Sequence, residues 1–165
     1  AMGDDTAGGD ASGSVFLIYG SASIESTLDD EVLEDLYQAH FYGFENAGIG
    51  TSIDGSGDFD GDGVNDLLIG ANSAALSEGG GYGKIDQGLT YLIYGQTSFS
   101  GSYDITTEAA AVFYGTNEYD QSGGPVRFVG DLYDNGTSAI SIGSVNDSSI
   151  HIEAGAIYLI ETIGM

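Results

Sequence analysis

The sequence predicts an all-β chain of propeller-type blades, each a four-stranded antiparallel sheet, with about two to two and a half blades and so no closed ring. Three observations carry that expectation. The 28 glycines and the single proline are spread among runs rich in Val, Ile and Tyr, the composition of short strands joined by tight turns. Three segments end alike: "GSVFLIYG" at 13–20, "GLTYLIYG" at 88–95 and "GAIYLIET" at 155–162. A longer block also recurs, since residues 40–72 align with 112–144 once one residue is inserted in the second copy. That alignment sets Phe41, Tyr42 and Gly43 on Phe113, Tyr114 and Gly115, Gly57 and Asp58 on Gly130 and Asp131, and Gly70 on Gly143. Self-similarity of this kind marks repeated supersecondary units.

In chain order, residues 1–43 read as the last two strands of a first blade, interrupted by a short helical insert. The insert is "TLDDEVLEDLYQAH" at 27–40, with Val32, Leu33, Leu36 and Tyr37 at helix-like spacing, Thr27 as N-cap and acids in the first turn. Residues 44–116 read as one complete blade with strands at 49–56, 66–71, 89–94 and 111–115, each bounded by Gly, Asp, Asn or Ser. A weaker helical signal lies at "ITTEAAAV", 105–112. Residues 117–165 read as the first three strands of a third blade.

Composition narrows the function classes. Hydrophobic residues make up 41% with 11 Tyr and 7 Phe, enough for a packed core despite a formal net charge of −24. Such a charge repels nucleic acid and anionic lipid heads and attracts cations, so no nucleic-acid partner is expected. No apolar run approaches the ~20 residues that span a bilayer, so membrane insertion is not expected either. The lack of Cys excludes disulfides and thiolate metal sites. The opening "AMG" resembles a cloning remnant, and the chain is expected to be a piece of a longer protein.

"DFDGDGVND" at 58–66 concentrates four carboxylates where the whole chain has two basic residues, Lys84 and Arg127. Hard cations such as Ca2+ take about six to eight oxygen ligands, and alternating acids in a tight loop aim several at one centre. Asp58, Asp60, Asp62 and Asp66 stand at loop positions 1, 3, 5 and 9, and the Val64 carbonyl stands at position 7, where a backbone ligand is usual. Gly61 and Gly63 permit the positive-φ turns such a wrap needs. The bland alternative is a solvated acidic turn, but four like charges this close repel unless a cation offsets them. A helix-loop-helix calcium hand is excluded because position 12 is Ile69 rather than Glu, and "LLIGAN" is a β-type run.

The order "GSGDFDGDGVNDLLIGA", a Gly-rich loop, then "GLTYLIYG" resembles the FG-GAP repeat of integrin α-subunit propellers and of large secreted bacterial proteins. The resemblance runs over nearly the whole chain. It implies that the acidic loop joins the first two strands of a blade and holds calcium through Asp58, Asp60, Asp62, Val64 and Asp66. The pattern also departs from the family: "GAP" reads "GAN" at 70–72, "FG" reads "FYG", and the second loop, "DLYDNGTSA" at 131–139, has Tyr133 and Ala139 at positions 3 and 9. That loop is expected to keep its turn and lose its metal.

No nucleophile-elbow or phosphate-cradling pattern occurs, and His40 and His151 lack evident partners, so no enzyme is expected. Tyr19, Tyr91, Tyr94 and Tyr158 are expected to pack between sheets rather than to stack on sugars. The resulting expectation is a calcium-stabilised, secreted or cell-surface bacterial module for adhesion or binding of a protein or glycan ligand. The alternatives are an assembly segment that self-associates or meets neighbouring blades of its parent protein, and a non-catalytic accessory domain of a secreted hydrolase.

Overall fold

The computed structural model describes residues 9–20, 36–75, 84–149, 151–152 and 154–162. Among the described residues, ten strands fall into three sheets that stack face to face. The middle sheet has four antiparallel strands, the blade-like form the sequence predicts. It is an antiparallel meander in the order β3, β4, β5, β7, from β3 (Ser52–Asp54), β4 (Leu67–Ala71), β5 (Leu89–Ile93) and β7 (Ala111–Tyr114). On one side lies a three-stranded antiparallel sheet of β8 (Ser122–Gly130), β9 (Ala139–Ser144) and β10 (Ala156–Ile160). On the other side, β1 (Ser14–Leu17) pairs antiparallel with β2 (Ala39–Tyr42).

The apolar runs of β4 and β5 are continuous because both faces of the middle sheet are covered. Ile69, Tyr91 and Ile93 point into a core shared with Val15, Phe41 and Ile49. One residue along each strand, Leu68 and Leu92 point the opposite way, into a core shared with Val126, Phe128, Ile140 and Ile142. Period-2 alternation thus feeds two cores from one sheet. The sheets come so close that a Cβ on Gly70 would stand 2.0 Å from the Gly123 carbonyl oxygen, which only glycine tolerates.

The internal repeat has a backbone counterpart. Asn46, Gly48 and Gly50, which lead into β3, all have positive φ, as do Tyr119, Gln121 and Gly123, which lead into β8. These are aligned positions when the inserted residue is placed before Tyr119.

One element departs from the expected pattern. Between β5 and β7 the chain forms β6 (Gly101–Asp104) and a single helical turn, α1 (Ile105–Glu108), capped by Asp104, whose Oδ1 accepts from the Thr106 N–H at 2.9 Å. β6 leaves its own sheet and pairs parallel with β2, giving the order β1, β2, β6. The helical signal at 105–112 is therefore real over four residues. Most of the stretch 27–40 lies outside the described residues, but its last two, Ala39 and His40, belong to β2 and not to a helix, because their backbone pairs with β1.

Candidate metal centre

The acidic loop joins β3 to β4 and is built largely by its own side chains. Asp58 folds the turn: its Oδ1 accepts from Gly61 N–H at 2.7 Å and its Oδ2 from Gly63 N–H at 2.8 Å. Gly61 and Gly63 take φ of 80° and 89°, the wrap the sequence predicts. Asp60 accepts from Asp62 N–H, and Asp62 from Val64 N–H at 2.7 Å. At the far end Asp66 is buried, its Oδ2 accepting from Phe59 N–H at 2.6 Å and its Oδ1 from Gly95 N–H at 2.8 Å. Asp66 therefore ties the loop to the segment that follows β5.

Carboxylate oxygens of Asp58, Asp60 and Asp66 lie within 4.8 Å of one another, and this trio is the candidate metal cluster among the described residues. Asp62 stands outside the trio, its Oδ1 turned to Val64 N–H. Burial pushes the Asp66 carboxyl up from its ordinary value; the two N–H donors oppose that rise, and the nearby Asp60 and Asp58 charges add to it. The chain's two cationic side chains are engaged elsewhere: Lys84 Nζ donates to the Thr116 carbonyl, and Arg127 to the carbonyls of Val126 and Ile53. A partly buried trio of carboxylates with no basic partner fits a hard cation, which takes oxygen ligands and offsets their repulsion.

The loop also touches the next sheet. Asp58 N–H donates to Ser138 Oγ, Ser138 N–H donates to the Asp58 carbonyl at 2.6 Å, and Phe59 enters the core shared with Phe128. Anything that stiffens residues 58–66 therefore stiffens the contact between the middle and third sheets.

The second loop repeats the turn. Asp131 accepts from Asn135 and Gly136 N–H at 3.0 and 2.8 Å, and Asn135 Oδ1 accepts from Thr137 N–H at 3.0 Å. These donors hold the Asp131 carboxyl below its ordinary value. Tyr133 stands exposed where the first loop has Asp60, and buried Ala139 where it has Asp66.

Two acids escaped the sequence reading. Asp120 and Asp147 are buried, at the aligned positions of Ala47 and Ala74, which belong to the apolar core between the first two sheets. Asp147 accepts from Ser149 N–H at 2.8 Å and from the Tyr158 hydroxyl at 2.5 Å, which keeps its carboxyl below the ordinary value. Asp120 Oδ2 accepts from Thr116 and Asn117 N–H, while its Oδ1 has no hydrogen-bond partner. Aligning the two copies one residue at a time would have revealed both as Ala-to-Asp changes.

His40 is buried, bonded to Ser14 Oγ at 2.9 Å and stacked on Phe16, whereas His151 is exposed. Tyr91 packs between sheets as expected. Tyr19, Tyr94 and Tyr158 do not: Tyr19 and Tyr94 lie beyond the ends of β1 and β5, and Tyr158 faces an open groove. No helix among the described residues is long and apolar enough to cross a membrane. No family model matches the chain, and no curated protein matches it.

Proposed function

We propose that this chain is a calcium-stabilised, non-enzymatic binding module of the FG-GAP propeller type, working at a bacterial surface or in the extracellular medium in adhesion or ligand binding. One observation carries the reading: the oxygens of Asp58, Asp60 and Asp66 converge within 4.8 Å, in a loop whose acids no basic side chain offsets. Calcium held by these carboxylates, with Asp62 and the Val64 carbonyl recruited on binding, would neutralise the cluster and lock the β3–β4 hairpin against the third sheet. Its role is structural. At ~100-fold excess over its dissociation constant, calcium stabilises the fold by about 2.7 kcal/mol. Calorimetry should show a higher melting temperature in calcium than in chelator, and Asp60→Ala should erase the difference. Identical wild-type melting curves in the two buffers would refute the reading.

A second reading, an assembly segment, is favoured by the outer face of the third sheet. There Ile157 and Leu159 are 80% and 56% exposed. Apolar patches of this kind mark contact surfaces. Light scattering separates the two: a monomer at all concentrations supports the binding module, and a discrete ring or filament supports assembly.

A further inference from the structure

The space between the first two sheets and the space between the last two are lined by aligned residues, and at two positions their chemistry is opposite. Ala47 and Ala74 belong to the apolar core of the first. Their counterparts in the second, Asp120 and Asp147, are 1% and 2% exposed. The fold brings these two acids together. The Asp120 carbonyl accepts from Asn146 N–H at 3.3 Å and from the Ser144 hydroxyl at 3.0 Å, and Asp147 follows Asn146 in the chain.

A carboxylate taken out of water needs donors or a cation to meet its charge. Asp147 has a donor on each oxygen, Ser149 N–H on Oδ1 and the Tyr158 hydroxyl on Oδ2. Asp120 has not. Its Oδ2 takes the N–H groups of Thr116 and Asn117 at 2.9 and 2.7 Å, while its Oδ1 is sealed from solvent with no donor. Lys84 bonds the Thr116 carbonyl of the same turn and not that oxygen. A second orphan lies in the same space. The fully buried Thr90 hydroxyl faces the third sheet at Gly123, where a Cβ would stand 2.7 Å from it. Among the described residues these are the two buried side-chain oxygens that lack a partner, and both lie between the middle and third sheets. Tyr158 links the acids from the strand side. Its bond to Asp147 is the main reason its hydroxyl holds its proton above the ordinary value, and the Asp120 charge adds to that rise.

We propose that Asp120, Asp147 and the Tyr158 hydroxyl form a second cation site, which takes one hard, oxygen-seeking metal ion such as Ca2+. A cation gives Asp120 Oδ1 the partner it lacks and offsets two buried charges that no basic side chain meets. The groups around it are oxygen donors, the set that hard cations select. A water molecule would satisfy Oδ1 but leave both charges standing. The three residues come from the turn before β8, the turn after β9 and β10, so one ion ties together all three strands of the third sheet. The site uses no residue of the loop at 58–66 and stands apart from the function proposed above.

The test is tyrosine-sensitised terbium luminescence on the whole chain carrying Asp60→Ala, which takes an acid out of the loop at 58–66. Terbium occupies calcium sites and emits when a neighbouring tyrosine is excited. Saturable emission that calcium competes away is expected. Loss of even an outer partner of a metal ligand lowers affinity about 10–100-fold, so adding Asp120→Asn should weaken binding at least ~10-fold. Asn keeps an acceptor for the Thr116 and Asn117 N–H groups, and melting curves check that the variant folds. Should it fail to fold, Asp147→Asn carries the same expectation. Tyr158→Phe should remove most of the emission by taking away the adjacent sensitiser. No saturable emission from the Asp60→Ala chain, the result if water alone meets Asp120 Oδ1, overturns the proposal. Emission that Asp120→Asn and Tyr158→Phe leave unchanged would put terbium elsewhere on the acidic surface and overturn it equally.

Discussion

In the loop at 58–66, Gly63 N–H donates to Asp58 Oδ2 at 2.8 Å; in the loop at 131–139, Gly136 N–H donates to Asp131 Oδ2 at the same distance. Val64 N–H donates to Asp62 in one, and Thr137 N–H to Asn135 in the other. Gly61 and Asp134, third after the leading Asp, both take positive φ. The two backbones are alike, and the side chains that would meet a cation are not. The leading Asp and the positive-φ positions specify the turn. Convergence of carboxylates needs, in addition, acids at the third and ninth positions, where the second loop has Tyr133 and Ala139. The candidate metal loop and the second turn thus share one scaffold, and the acids that converge in the first are missing from the second at two positions.

The severest way to break this comparison is to give the first loop the ninth residue of the second. Asp66→Ala leaves the buried N–H of Phe59 and the half-buried N–H of Gly95 without their acceptor, and a buried orphan costs roughly 1–3 kcal/mol. Denaturant unfolding should show a loss of ~2–5 kcal/mol, together with loss of any calcium effect. A loss under ~0.5 kcal/mol would show that Asp66 is not the anchor of the loop.

The converse change should install a metal site. Tyr133→Asp with Ala139→Asp gives the second loop acids at the same two positions, and titration calorimetry should then detect one more calcium ion per chain. Its stabilisation should approach that of the first loop, about 2.7 kcal/mol at ~100-fold excess over the dissociation constant. An unchanged stoichiometry would mean that Asp62, which Asn135 replaces, is indispensable.

A smaller effect tests the contact between the sheets. Burial tends to raise the Asp54 carboxyl, but the Phe128 and Ser56 donors and Arg127 outweigh it and hold the group below its ordinary value. Asp54→Asn should cost about 1 kcal/mol by weakening the bond to Phe128 N–H across the junction.

The smallest effect is a pH signature. The folded-state value of Asp131 lies below its ordinary 3.8, so its contribution is fully present above that pH and lost as pH falls through the folded value. Melting temperature against pH should therefore fall less steeply below pH ~4 in Asp131→Asn than in the wild type. Parallel curves would mean that the second loop's donors do not depend on the charge.

Much of the fold was legible because the repeat is local. β4 and β5 announce themselves as short apolar runs, and β7 was located through the repeated "FYG". The acidic loop was legible because the positions of its residues in a wrap follow from spacing alone. β6 was not, since "GSYD" has no apolar run and becomes a strand only by pairing with β2, some sixty residues earlier in the chain. The buried pair Asp120 and Asp147 was also hidden, because nothing local distinguishes a buried aspartate from the many exposed ones.

By itself, then, the sequence determined the β class, the repeat, the strands of the middle sheet and the acidic spacing of 58–66, all of which depend on near neighbours, alternation and turn chemistry. Tertiary structure decided the rest. It drew Asp58, Asp60 and Asp66 together while turning Asp62 to its own backbone, and sent β6 to another sheet. Those outcomes depend on which distant surfaces meet, and spacing along a chain does not encode that.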